Sequence, residues 1–109
     1  MTTFDKRKDA FESKFAHDAE LQFKAEARRD KLLGLWAAGL LGKTGADAEA
    51  YAKEVVAAEF GRKGDSDVFE KIRHDFDAAG VTQSDHQIRR TMDELMQTAM
   101  SQVAGEAKP

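Results

Sequence analysis

Gly42-Lys43-Thr44 is the tripeptide in this chain that comes nearest to phosphate chemistry. A phosphate-cradling loop needs a glycine five residues before its last one and a strand leading in, because successive backbone N–H groups must curl around the anion. Ala37 stands at that position, Gly39 is only three residues ahead, and the incoming segment around Trp36 is patterned as helix. The tripeptide therefore reads as a helix stop followed by an N-cap. His17, His74 and His86 lie on separate elements with no i,i+4 partner, so no zinc ligand set can be assembled from them. His17, beside Asp18, is placed to titrate near neutrality, although a solvated surface imidazole is the plainer reading. There is no cysteine, hence no thiolate nucleophile, disulfide or thiolate metal site. Paired carboxylates abound, but on polar faces, and no hydroxyl has a recognisable base beside it. The chain carries no catalytic residue, no metal ligand and no resident cofactor on this reading, and an enzyme is not supported.

Two basic doublets, Arg28-Arg29 and Arg89-Arg90, are the remaining candidates for gripping phosphate, provided that they converge in space. Ion pairs with neighbouring carboxylates, such as Glu26 with Arg29, are the simpler reading. Met92, Met96 and Met100 recur at i,i+4, which fits core packing better than a binding groove.

These residues sit on a helical chain. One proline, eight glycines and an Ala/Glu/Lys/Asp-rich remainder in 109 residues favour helix throughout, and no segment alternates as a half-buried strand would. From Leu32 to Leu41 the chain reads LLGLWAAGLL, with apolar side chains all around the axis. A helix of that kind has to be enclosed by others, and at ten residues it is too short for a bilayer, which needs about 20. We therefore expect it at the centre, with Trp36 buried among all four helices. The first helix contains Glu20 to Leu41 and ends at Gly42. The second runs from about Ala46 to Phe60, with Thr44 and Asp47 resembling a capping box and Ala48, Tyr51, Ala52, Val55, Val56 and Phe60 inward. The third begins near Asp65–Asp67, turns Val68, Phe69, Ile72 and Phe76 inward and stops at Ala79-Gly80. Ser84 with Gln87 caps the fourth, whose inner face is Ile88, Met92, Leu95, Met96, Ala99 and Val103. Gly105 to Pro109 should fray. The expected fold is all-α, a small monomeric four-helix bundle over residues 20–104.

Residues 1–19 differ. Their charges nearly cancel and their apolar side chains are few, yet Phe4, Phe11 and Phe15 share one face of a helical wheel. Two readings stay open: an extension of the first helix packed on the bundle, or a detachable, marginally helical arm that buries its aromatic stripe against a partner. MTTFDKRKDAFESKF has no apolar h-region and does not read as a secretory signal. With a net charge of −3 and both signs interspersed, a nucleic-acid coat is not expected. The composition fits a soluble, intracellular protein.

The strings KFAHDAELQFKAEARRDKLLGLWAA, AYAKEVVAAEF and IRRTMDEL resemble the zeta subunit family of the alphaproteobacterial F-type ATP synthase, from about Phe4 to Ala99. The ARR-x-KLLGLWAA core followed by AYAKEVV is a long and specific match. The sequence departs from the family pattern at Asp30, where asparagine is common, at Gly39, and at Arg62-Lys63, which replace a more acidic, proline-containing loop. The resemblance implies a helical bundle with an N-terminal inhibitory segment that wedges into a catalytic interface of the ATPase head and blocks rotation in the hydrolysis direction, similar in role to the mitochondrial ATPase inhibitor protein. Mapped here, that segment carries Phe4, Lys6, Arg7, Phe11, Lys14 and Phe15. The implied partner is the head's alpha/beta interface, with the central stalk as a second candidate contact. The implied location is the cytoplasmic face of the cell membrane, reached through the ATP synthase and without membrane insertion. The family is also associated with weak ADP or ATP binding, for which Arg28, Arg29, Arg89 and Arg90 are the available contacts. The alternative roles are an adenine-nucleotide-binding helical domain and a non-inhibitory structural subunit of the same complex.

Overall fold

The computed structural model describes residues 18–106 as four helices, with no strand among them: α1 (Ala19–Leu40), α2 (Gly45–Ala58), α3 (Asp65–Ala79) and α4 (Asp85–Glu106). The arm expected over residues 1–19 lies, up to residue 17, outside the described residues. Asp18 and Ala19 belong to the bundle: the Asp18 carboxylate accepts a hydrogen bond from the Leu21 N–H at 3.1 Å and caps α1.

The helix ends follow local chemistry. Gly42 takes a left-handed φ of 77°, so its N–H reaches the Gly39 carbonyl while the Lys43 N–H reaches that of Ala38, the paired bonds of a Schellman stop. Gly80 repeats the arrangement after α3, with the Val81 N–H on the Phe76 carbonyl and its own on Asp77. Ser84 and Gln87 form the expected capping box, each side chain accepting from the other's backbone N–H at 3.1 and 2.8 Å. Thr44 has the extended backbone of an N-cap, but its side chain makes no capping bond, so the box expected with Asp47 is not formed.

α1 packs chiefly against α2 and α4. The main core joins Leu33, Ala37 and Ala38 of α1 to Tyr51 and Val55 of α2, Val68, Phe69, Ile72 and Phe76 of α3, and Ile88 and Met92 of α4. A second, smaller cluster sets Ala25 against Met100 and Val103, so the start of α1 lies beside the end of α4. The Met92–Met96–Met100 stripe faces these cores, with Met96 half-buried.

Three expectations need correction. Trp36 is half-buried rather than enclosed; it packs edge-on to Phe76 with ring centroids 5.7 Å apart. The fully buried positions of its stretch are Leu33, Gly34, Ala37 and Ala38, while Leu40 is exposed. Small residues take the interior because α1 and α2 approach closely: a Cβ added at Gly34 would lie 2.6 Å from the Ala52 Cα. Phe60, expected inward, is 67% exposed, because α2 ends at Ala58 and the wheel does not carry on to residue 60. At the C-terminus, α4 continues through Gly105 and Glu106.

Gly34→Ala should therefore lower stability by about 1–3 kcal/mol through overpacking. Gly39→Ala, whose Cβ meets nothing within 4 Å, should raise it by about 0.5 kcal/mol from helix propensity. Urea unfolding of both variants distinguishes close helix approach from a general effect of glycine removal.

Candidate functional site

The most unusual side chain of the described residues is Arg29, only 3% exposed. Ala25, Arg29, Leu33 and Ala37 fall at i,i+4 spacing on one stripe of α1, and all four are buried. An arginine on such a stripe has to find carboxylates, since an unpaired buried charge costs far more than folding can supply. It finds three. Arg29 donates from Nε to Asp30 at 2.7 Å, and from Nη2 to Glu59 at 2.8 Å and to Asp65 at 2.5 Å. The end of α2 and the start of α3 are thereby fastened to the middle of α1.

The electrostatics follow from burial. Burial alone pulls the Arg29 pKa down, but the hydrogen bonds and charges of Asp65 and Asp30 outweigh it and hold the guanidinium above its ordinary range. Asp65 is also disfavoured as an anion by burial, yet Arg29 prevails and its pKa falls. Burial pushes the Glu59 carboxyl up to about 9, with Asp30 and Asp65 adding to the rise. Asp30 rises for the same leading reason, opposed by Glu59 and Arg29. Glu26 is raised by burial and by Asp65 and lowered by Arg29. The pairing expected between Glu26 and Arg29 is thus replaced by Asp30, Glu59 and Asp65.

The other arginines are spent differently. Arg28 bonds Gln102 at 2.8 Å and both carboxylate oxygens of Glu106 at 2.6 and 2.8 Å, joining α1 to the last turn of α4. Arg89 lies over the Phe69 ring, 4.0 Å from its centroid, and Arg90 pairs with Glu94 at 2.9 Å on the surface of α4. Lys43, from the phosphate-loop imitation, sits 5.9 Å from the Tyr51 ring centroid, just past the glycine stop that the spacing indicated. Tyr51 donates to Asp75, and burial followed by that bond raises its pKa.

A surface groove of about 540 Å³ opens beside the start of α1, lined by Leu21, Phe23, Lys24, Ala27, Arg28, Lys31, Val56, Val103 and Glu106. At its edge Phe23 and Phe60, 54% and 67% exposed, meet with ring centroids 5.9 Å apart. Among the described residues, no group of three histidine or carboxylate side chains is placed to hold a metal ion, and no helix is long and apolar enough to cross a membrane. Phe4, Lys6, Arg7, Phe11, Lys14, Phe15 and His17 lie outside the described residues.

The sequence does not bring Asp30, Glu59 and Asp65 together around Arg29: Asp30 stands out only as a departure from the family pattern and Asp65 only as a helix start. Arg29 enters the sequence reading as half of a basic doublet, a candidate nucleotide contact and an ion-pair partner of Glu26, although its place on an apolar i,i+4 stripe is a signal that it would be buried among carboxylates.

Arg29→Ala should cost about 3–5 kcal/mol in urea unfolding, because it strands carboxylates in the interior. Arg28→Ala, which removes a pair that remains largely in water, should cost less than about 1 kcal/mol.

Against known proteins, no curated sequence matches. A protein solved in solution by NMR is 45% identical, with a TM-score of 0.70 over 79% of this chain and 98% of its own. The family model described as ATPase inhibitor subunit zeta matches residues 1–102.

Proposed function

The chain belongs to the ATPase inhibitor subunit zeta family, and on that premise we propose that it restrains ATP hydrolysis by the F-type ATP synthase by inserting its N-terminal segment at a catalytic interface of the head. The observation that carries this reading is the extent of the match: it begins at residue 1, so it includes the segment bearing Phe4, Phe11 and Phe15 as well as the bundle.

The aromatic stripe would supply the apolar driving force for insertion. Burying one phenylalanine is worth about 1.5–3 kcal/mol, and fixing one residue's backbone costs about 1–2 kcal/mol. Three phenylalanines therefore offset the ordering of about half a dozen residues. The rest of the segment has to be ordered by helical hydrogen bonds and charged contacts with the partner. Lys6, Arg7 and Lys14 supply those contacts against acidic surface, and they govern association rate and register more than final affinity. Asp18 caps α1 directly after the segment, so the bundle begins where the segment ends and stays outside the cleft. Inhibition is steric, and no residue needs a catalytic pKa.

Deleting residues 1–17, which spares the Asp18 cap, should abolish inhibition of ATP hydrolysis by purified ATPase head while leaving cooperative melting of the bundle largely unchanged. Phe11→Ala with Phe15→Ala should do most of the same damage. Full inhibition by the truncated chain would move the activity to the bundle.

Adenine-nucleotide binding, where it occurs, belongs in the micromolar range or weaker, because Arg28, Arg29 and Arg90 already donate to carboxylates of the chain. Amide shifts on titration with ADP check this. Tight binding lost in Lys43→Ala would restore the phosphate loop that the spacing argues against.

A further inference from the structure

The Arg29 cluster contains more carboxylate than one guanidinium can neutralise. Asp30 and Glu26 come from α1, Glu59 from the end of α2 and Asp65 from the start of α3. Of the charged groups of α4, Asp85 pairs with Arg73, Arg90 with Glu94 and Glu106 with Arg28, Arg89 lies over Phe69, and neither Asp93 nor the titratable His86 pairs with this cluster. Asp30 is fully buried, and only one of its oxygens accepts from Arg29. The other, Oδ2, is buried with no hydrogen-bond partner. An orphaned carboxylate oxygen of this kind costs on the order of a lost charged hydrogen bond unless a donor reaches it. Glu59, the residue that ends α2, shares the Arg29 guanidinium with Asp30 and interacts with it, and it can donate only if it carries a proton.

We propose that Asp30 and Glu59 bind one proton between them in the folded protein at neutral pH, and that its release loosens the corner of residues 59–64 from α1. The proton turns two repelling carboxylates into a donor–acceptor pair and satisfies Asp30 Oδ2. Beside Arg29 the Asp30–Glu59 pair then carries one shared negative charge, with Asp65 and Glu26 close by. Loss of the proton adds a negative charge to a site sealed on one side by the bundle core. The part free to move is the corner beyond α2, where Phe60 meets Phe23. The upward displacement of the Glu59 carboxyl to about 9 agrees with this geometry, and the titration belongs to the pair rather than to either residue.

The unfolded chain releases this proton in the ordinary carboxylate range, while the folded chain keeps it. Between these limits the folded state binds more protons than the unfolded one. Stability from this pair is therefore complete below the ordinary glutamate pKa and declines as pH rises towards 9. One proton corresponds to a rise in the unfolding equilibrium constant of at most about tenfold per pH unit.

The test is a side-chain carboxyl NMR titration of the full chain between pH 4 and 10, with urea unfolding across the same range. The expected result is a step shared by Asp30 and Glu59 at least about two units above ordinary carboxylates, coincident with shifts of the Phe23 and Phe60 ring signals. Glu59→Gln, whose amide donates to Asp30 without a titrating proton, should flatten the pH dependence of unfolding in that interval. Completion of both titrations below pH 5 in the folded wild type would overturn the proposal, and this outcome needs no variant. A Glu59→Gln protein that retains the wild-type slope would overturn it as well.

Discussion

One buried guanidinium sets the terms for this fold. Arg29 lies on the buried stripe of α1 between Ala25 and Leu33, and its charge is accommodated by Asp30 beside it and by carboxylates that arrive from other elements. Glu59 and Asp65 come from the two ends of the α2–α3 connection, so satisfying one side chain fixes where α2 stops, where α3 starts and how both lie on α1. Such a cluster adds little net stability over an apolar replacement, since desolvation cancels much of the Coulomb attraction. Its contribution is register: a sliding helix would leave a charge unpaired. The close contact of Gly34 with Ala52, one turn further along α1, depends on the same register.

The bundle in turn defines where the N-terminal segment departs. α1 and α4 are each longer than α2 and α3. The first turns of α1 are held to the last turns of α4 by Ala25, Met100 and Val103 and by Arg28 with Glu106. The Asp18 cap closes α1 at that end. The smaller cluster lies at that end of the bundle, and the main core begins further along α1 at Leu33.

What could be read from the sequence was what local chemistry decides. Gly42, Gly80 and the Ser84–Gln87 box were legible because each is settled within six residues. The inward face of α3 was legible because Val68, Phe69, Ile72 and Phe76 keep helical period. The stretch Leu32–Leu41 misled, because side-chain size does not reveal how closely helices approach; Gly34, Ala37 and Ala38 took the interior and left Trp36 half outside. The partners of Arg29 were out of reach for another reason. Glu59 and Asp65 are 30 and 36 residues away, and nothing in a helical wheel pairs positions on different elements. Phe4, Phe11 and Phe15 were legible as an aromatic stripe, while the inhibitory role proposed for their segment rests on the family resemblance.

The central claim is that the N-terminal segment, and not the bundle, meets the catalytic interface. The most direct measurement places a photo-crosslinking side chain at position 11 in one protein and at position 60 in another, each mixed with ATPase head during ATP hydrolysis. Position 11 is expected to crosslink to the subunits that form the catalytic interface, with a yield that tracks inhibition, and position 60 to give no crosslink there. Crosslinks to that interface from position 60 alone, under conditions where hydrolysis is inhibited, would contradict it.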